Sequence, residues 1–85
     1  MRVLYKKRFE REFKRLDEKV KLAFSERLEL FVQDKFHPLL RNHAVDAAFP
    51  GCRSINISGD LRAIFREEGD VVIFMHIGTH SKLYK

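Results

Sequence analysis

The chain has a single cysteine, Cys52, so no internal disulfide can staple it, and it carries no apolar run near the roughly eighteen residues that a membrane span needs. Its opening, Met-Arg-Val-Leu-Tyr-Lys-Lys, lacks the apolar stretch of a signal peptide, and the expectation is a cytoplasmic protein with no membrane association. There is no internal repeat, linker or low-complexity segment, and 85 residues leave no room for a second core, so residues 1–85 read as one domain. His37, His43, Cys52, His76 and His80 show none of the paired short spacings of structural zinc sites, so neither a metal nor a small-molecule cofactor is expected. No serine sits in a nucleophile elbow, which argues against a Ser-His-Asp hydrolase.

Apolar material, by contrast, is plentiful: 45% of residues are hydrophobic and eight are Phe, enough for a core in so small a chain. The net charge is +5, and its placement matters more than its size. Residues 1 to 21 hold nine basic side chains against four acidic ones, which accounts for the whole excess, and the other 64 residues balance. Such a basic end suits a polyanion or an acidic protein partner, through counterion release and steering, or is simply a solvated helix face.

Val3 and Tyr5 lie in a short extended pattern. Phe9, Phe13, Leu16, Val20, Phe24, Leu28 and Phe31 then recur at three- and four-residue steps, a helical stripe. Asp17 as an N-cap divides the stripe into helices at about 8–16 and 18–35, the reading favoured over the one long bent helix that the stripe alone also allows, and Phe36-His37-Pro38 ends the run. Residues 37–51 read as a loop or irregular strand closed by Pro50-Gly51, after which the period switches to two. Strands are expected over 54–58, 61–66 and 71–77, with Glu67-Glu68-Gly69-Asp70 as the hairpin turn between the last two. The fold class is therefore α+β: an N-terminal strand, two helices, then a three-stranded antiparallel meander, the helices segregated to one face of the sheet.

The polar residues worth testing, His43, Asn56, Asp60, Arg62, His76, His80 and Tyr84, all fall in the second half. Asp60 and Arg62 are two apart, which in a strand puts a carboxylate beside a guanidinium on one face; on spacing alone, a surface ion pair worth about 0–1 kcal/mol is the favoured account. His76 lies inside an apolar strand and reads as a satisfied core residue. His80 follows Gly78-Thr79 at a strand end, where loops present side chains to solvent.

Three segments, in order, carry a resemblance. Asn42-His43-Ala44-Val45, Cys52 through Arg66, and Gly78-Thr79-His80-Ser81-Lys82-Leu83-Tyr84 together resemble the RelE/ParE superfamily of bacterial toxins, most closely its YafQ-like branch, with its N-H-x-L segment, central hairpin and G-T-H-x-x-L-[FY] ending. The first 36 residues are similar only in being basic and two-helical. The resemblance implies a RelE-like (microbial-RNase-like) fold and metal-independent cleavage of messenger RNA, usually on the ribosome, by the toxin of a type II toxin-antitoxin system. It also implies a cognate antitoxin as protein partner.

By position, His43, Asp60 and His80 match polar residues implicated in cleavage by that branch, Tyr84 its C-terminal aromatic, and Arg62 a phosphate-contacting arginine of RelE-like relatives. Metal-free cleavage has the ribose 2′-hydroxyl attack the adjacent phosphate, and it needs a base, an acid and positive charge on the phosphorane. His43 and His80 suit the acid and base, Arg62 a bidentate phosphate clamp, Asp60 an orienting or basic carboxylate, and Tyr84 a stacking surface. RNA contacts are expected from Arg53, Asn56 and Lys82, and from Lys6, Lys7, Arg11 and Lys14 in the basic end. Three positions depart from the branch: Asn56 stands where a histidine is frequent, Ala47 where a glycine is common, and Leu61 where a tryptophan is frequent. Two alternatives remain open: a ParE-like inhibitor of DNA gyrase, against which the two histidines argue, and a toxin homologue that only binds an antitoxin, which Asn56 keeps open.

Overall fold

The computed structural model describes residues 1–84. Strand β1 (Arg2–Tyr5) leads into helix α1 (Lys7–Lys14) and helix α2 (Glu18–Gln33), and a 3₁₀ turn (Pro38–Leu40) precedes the two-residue strand β2 (His43–Ala44). Strands β3 (Arg53–Ser58), β4 (Leu61–Glu68) and β5 (Val71–Thr79) follow, and the one-turn helix α3 (His80–Leu83) closes the chain. No described helix is long and apolar enough to cross a membrane.

The helical stripe is indeed cut at Asp17, whose carboxylate accepts the Val20 N–H at 3.0 Å, satisfying one of the donors that a helix start leaves unpaired. α2 stops at Gln33, well before Pro38. Asp34 turns extended, and its carboxylate accepts the Phe36 N–H at 3.1 Å, so an Asx turn rather than the proline ends the helix. Pro38 instead opens the 3₁₀ turn, a position that needs no N–H.

The sheet has five strands in the order β1-β5-β4-β3-β2. The expected antiparallel meander β3-β4-β5 is its centre, and its turns are tighter than the sequence suggests. Glu68 pairs with Val71, so Gly69-Asp70 alone makes the turn, with Gly69 at a φ of 59° that glycine adopts without strain. Two additions were not expected. β1 pairs parallel with β5, and β2 pairs antiparallel with β3 inside the segment read as a loop or irregular strand.

Ile55, Ile57, Ala63, Phe65, Val72 and Phe74 turn toward the helices and pack with Phe9, Phe24 and Phe31 in the main core. Phe31, Phe65 and Phe74 are fully buried, and Phe31 meets Phe65 edge-on at 5.0 Å. The intervening residues face the other way, where Ile64, Val45 and Cys52 form a second, smaller core under Phe49, Met75, Leu83 and Tyr84. The β4–β5 register slips between Ile64, opposite His76, and Phe65, opposite Phe74, leaving Met75 as an extra residue. This bulge lets Phe74 and Ile77 both reach the main core, which strict alternation would forbid.

Candidate active site

On the sheet face opposite α1 and α2, the register delivers polar side chains from neighbouring strands to one place. His43 of β2 lies opposite Ser54 of β3, Asn56 lies opposite Arg62 of β4, and Arg62 lies opposite Gly78 of β5, two residues before His80. Together with Arg41 and Tyr84 these residues line an open cleft of about 250 Å³: Arg41, His43, Ser54, Asn56, Arg62, His80 and Tyr84.

The hydrogen bonds set each group's chemistry. His43 Nδ1 lies 2.7 Å from the Arg41 carbonyl oxygen, which can only accept, so Nδ1 carries a proton. In the neutral ring the free lone pair is then on Nε2. Arg41 offers that carbonyl from a left-handed backbone, φ 48°, an uncommon state for a residue with a side chain. Arg62 Nη1 donates to the carbonyls of Gly59 at 2.9 Å and Leu61 at 3.2 Å, which ties one corner of the guanidinium to the turn. The His80 N–H donates to the Asp60 carbonyl at 3.0 Å, and the His80 ring lies over Tyr84 with centroids 4.6 Å apart and planes 33° from parallel. Thr79 Oγ1 caps α3 by accepting the Lys82 N–H at 3.3 Å, which fixes where His80 leaves the strand.

Of the residues expected at a site, His43, Asn56, Arg62, His80 and Tyr84 are thus brought together. Asp60 is not among the lining residues, nor is it paired with Arg62. It sits in the two-residue turn between Ser58 and Leu61, so the one-face spacing of a strand does not apply, and its main chain, not its carboxylate, meets His80. Arg53 is engaged elsewhere: Nε donates to Asn42 Oδ1 at 2.8 Å, and the guanidinium lies 5.5 Å over the Phe36 ring. Lys82 lies outside the cleft lining, on α3, as do Lys6, Lys7, Arg11 and Lys14 on or beside α1.

Two lining residues escaped the sequence. Arg41 is two residues from His43, a spacing that extended backbone places on one side, but only the left-handed turn makes it a partner. Ser54 is 1% exposed and its hydroxyl has no hydrogen-bond partner, a feature invisible without the register.

The remaining histidines and the cysteine lie apart from this chemistry. His37 Nδ1 accepts the Leu39 N–H at 3.1 Å. His76 is only half-buried, beside Glu12 and Phe49, and lines a separate groove, where a satisfied core residue was expected. Cys52 is free and buried, and burial pushes its thiol up from the ordinary value, against the pull of Arg66. Among the described residues, no group of three or more His, Cys, Asp or Glu is placed to hold a metal ion.

A family model described as bacterial toxin of type II toxin-antitoxin system, YafQ, matches residues 1–85. No curated protein matches the chain. Among solved structures, YafQ from E. coli strain BL21(DE3) is 19% identical, with all of both chains covered and a TM-score of 0.76. The E. coli DinJ-YafQ complex contains a chain 20% identical, again covered completely both ways, at a TM-score of 0.71. A YoeB/ParE toxin from Agrobacterium tumefaciens is 14% identical over 94% of this chain and 99% of its own, at 0.76. At these identities the likeness is one of fold, and it matches the strand, helices and antiparallel sheet described above.

Proposed function

The chain belongs to the YafQ family of bacterial toxins of type II toxin-antitoxin systems, and from that membership we propose that it is an endoribonuclease that cuts messenger RNA on the ribosome, without a metal, until a cognate antitoxin silences it. The observation that carries this reading is that two histidines and two arginines, His43, His80, Arg41 and Arg62, line one open cleft.

In the cleavage step His43 Nε2 takes the proton of the ribose 2′-hydroxyl while Nδ1–H stays bonded to the Arg41 carbonyl, which orients the ring and stabilises the imidazolium as it forms. The 2′-oxygen attacks the adjacent phosphorus. Negative charge gathers on the phosphorane oxygens, and Arg62 meets it with Nε and Nη2, the edge left over once Nη1 is tied to Gly59 and Leu61. His80 gives a proton to the departing 5′-oxygen, leaving a 2′,3′-cyclic phosphate and a 5′-hydroxyl. Tyr84, already against the His80 ring, offers a face on which a base stacks. Asp60 acts through its main chain by holding the His80 N–H.

The partner in this reading is an antitoxin, as DinJ is for YafQ in the E. coli complex, and an acidic one suits the basic end. The site of action is the cytoplasm, where message and ribosomes are. One observation favours a second reading: the amide of Asn56 in the cleft cannot carry a proton, as an inactive homologue that only binds its antitoxin would allow.

Induced expression of the wild type beside His80→Ala and Arg62→Ala, with growth followed and 5′ ends of cellular messages mapped, tests the proposal. Growth arrest with new ends inside coding regions, lost in either variant, is the expected result. Arrest with intact messages would point to gyrase, and no arrest to the inactive homologue.

A further inference from the structure

α3 is a wall with two sides. His80 and Tyr84 line the cleft already described, while Thr79, Lys82 and Leu83 line a second, more enclosed groove of about 380 Å³ between α3, α1 and Phe49. That volume is at the lower end of the roughly 300–1,000 Å³ that small ligands fill, the scale of one nucleotide. Its charge is one-sided: Arg8, Arg15 and Lys82 face a single carboxylate, Glu12. Glu12 is already committed, since Oε1 accepts the Ile77 N–H at 3.1 Å and Oε2 lies 3.6 Å from Arg8 Nε. Among the described residues, Arg15 and Lys82 have no carboxylate partner. Phe49 supplies an aromatic surface continuous with the cleft, its ring edge-on to Tyr84 at 5.8 Å. Unpaired cations beside a partly buried ring that also packs against His76 at 5.1 Å, one short helix away from the proposed cleavage groups, are the components of single-strand RNA recognition.

We propose that this groove is a second nucleotide subsite: RNA crossing the cleft passes over α3 and seats the neighbouring nucleotide with its phosphate between Arg15 and Lys82 and its base against Phe49. The inference deepens the ribonuclease reading and depends on it. It also gives Arg15, one of nine cations in the basic end, a local task in place of a general one.

The test is an amide-resolved NMR titration of the whole chain with a 2′-O-methylated RNA dinucleotide and tetranucleotide, which bind without being cut. Both probes are expected to shift the amides of His43, Asn56 and Tyr84, and only the tetranucleotide those of Phe49, Gly78 and Thr79. In Arg15→Gln, the affinity gained from dinucleotide to tetranucleotide shrinks about threefold to tenfold, and the slope of log affinity against log salt falls by about 0.7, one single-strand phosphate contact. Cleft shifts with a silent groove and an unchanged Arg15→Gln would overturn the subsite and leave the ribonuclease reading standing. Groove shifts without cleft shifts would sink the cleavage site instead, and silence at both would sink both. A groove that answers to a polyglutamate peptide but not to RNA would mark it as a protein surface and overturn the proposal.

Discussion

Replacing His43 separates catalysis from folding. The side chain stands exposed on a two-residue edge strand, and its one hydrogen bond runs to a carbonyl two residues away, so nothing in either core depends on it. His43→Ala is therefore expected to change unfolding free energy by less than about 0.5 kcal/mol, the usual range for a surface position. Cleavage loses its base. With Nδ1 held to the Arg41 carbonyl, Nε2 is the ring's only proton acceptor, and loss of a positioned base costs about 10²–10⁴ in rate, or about 3–5.5 kcal/mol at roughly 1.4 kcal/mol per decade. Arg62 and His80 remain, so cleavage above the uncatalysed rate persists, and His43→Ala/His80→Ala loses less than the product of the two single losses. The assay is initial-rate cleavage of a defined message on ribosomes, beside urea unfolding of the same preparations. A loss below about tenfold, with folding intact, would refute His43 as the base.

Arg62→Lys keeps the charge but not the planar fork, and cleavage is expected to fall at least about tenfold at unchanged stability; a fully active variant would show that charge alone suffices. Ser54→Ala removes a buried hydroxyl with no partner and is expected to stabilise the fold by about 1 kcal/mol, a rise of roughly 4–8 °C in Tm by calorimetry, whereas a lower Tm would mean the hydroxyl has a bonding partner after all. Asp17→Ala deletes the α2 cap and should cost about 1 kcal/mol in urea unfolding, with Asp17→Asn recovering most of it. Burial pushes the His76 imidazole below its ordinary value against the opposing pull of Glu12, whose Oε1 is 3.7 Å away, while Arg8 adds to the lowering. The folded form thus prefers the neutral ring, so this contribution to stability is present above about pH 6.5 and is lost as pH falls through the lowered value. Thermal unfolding followed down the pH scale should show that loss, and His76→Gln should remove it.

What the sequence disclosed, and what it did not, follows from how far each interaction reaches along the chain. Capping at Asp17 and the Phe9-to-Phe31 stripe are settled within a few residues, and both were legible. The parallel pairing of β1 with β5 and the extra residue at Met75 are long-range outcomes of filling one core with Phe74 and Ile77, and no local pattern encodes them. Within the cleft, His43, Arg62, His80 and Tyr84 stood out in the sequence as polar residues, but only the resemblance grouped them, because what gathers them is register: His43 opposite Ser54, Asn56 opposite Arg62, Arg62 opposite Gly78. Asp60 shows the converse. A two-residue spacing implies a shared face only inside a strand, and Gly59, at a φ of 50°, puts Asp60 in the turn instead. The same turn presents the Gly59 carbonyl to Arg62 and the Asp60 carbonyl to His80. One two-residue turn thus holds an Arg62 guanidinium nitrogen and the His80 backbone N–H through main-chain carbonyls alone, and under the proposed mechanism that places the phosphate clamp beside the proton donor.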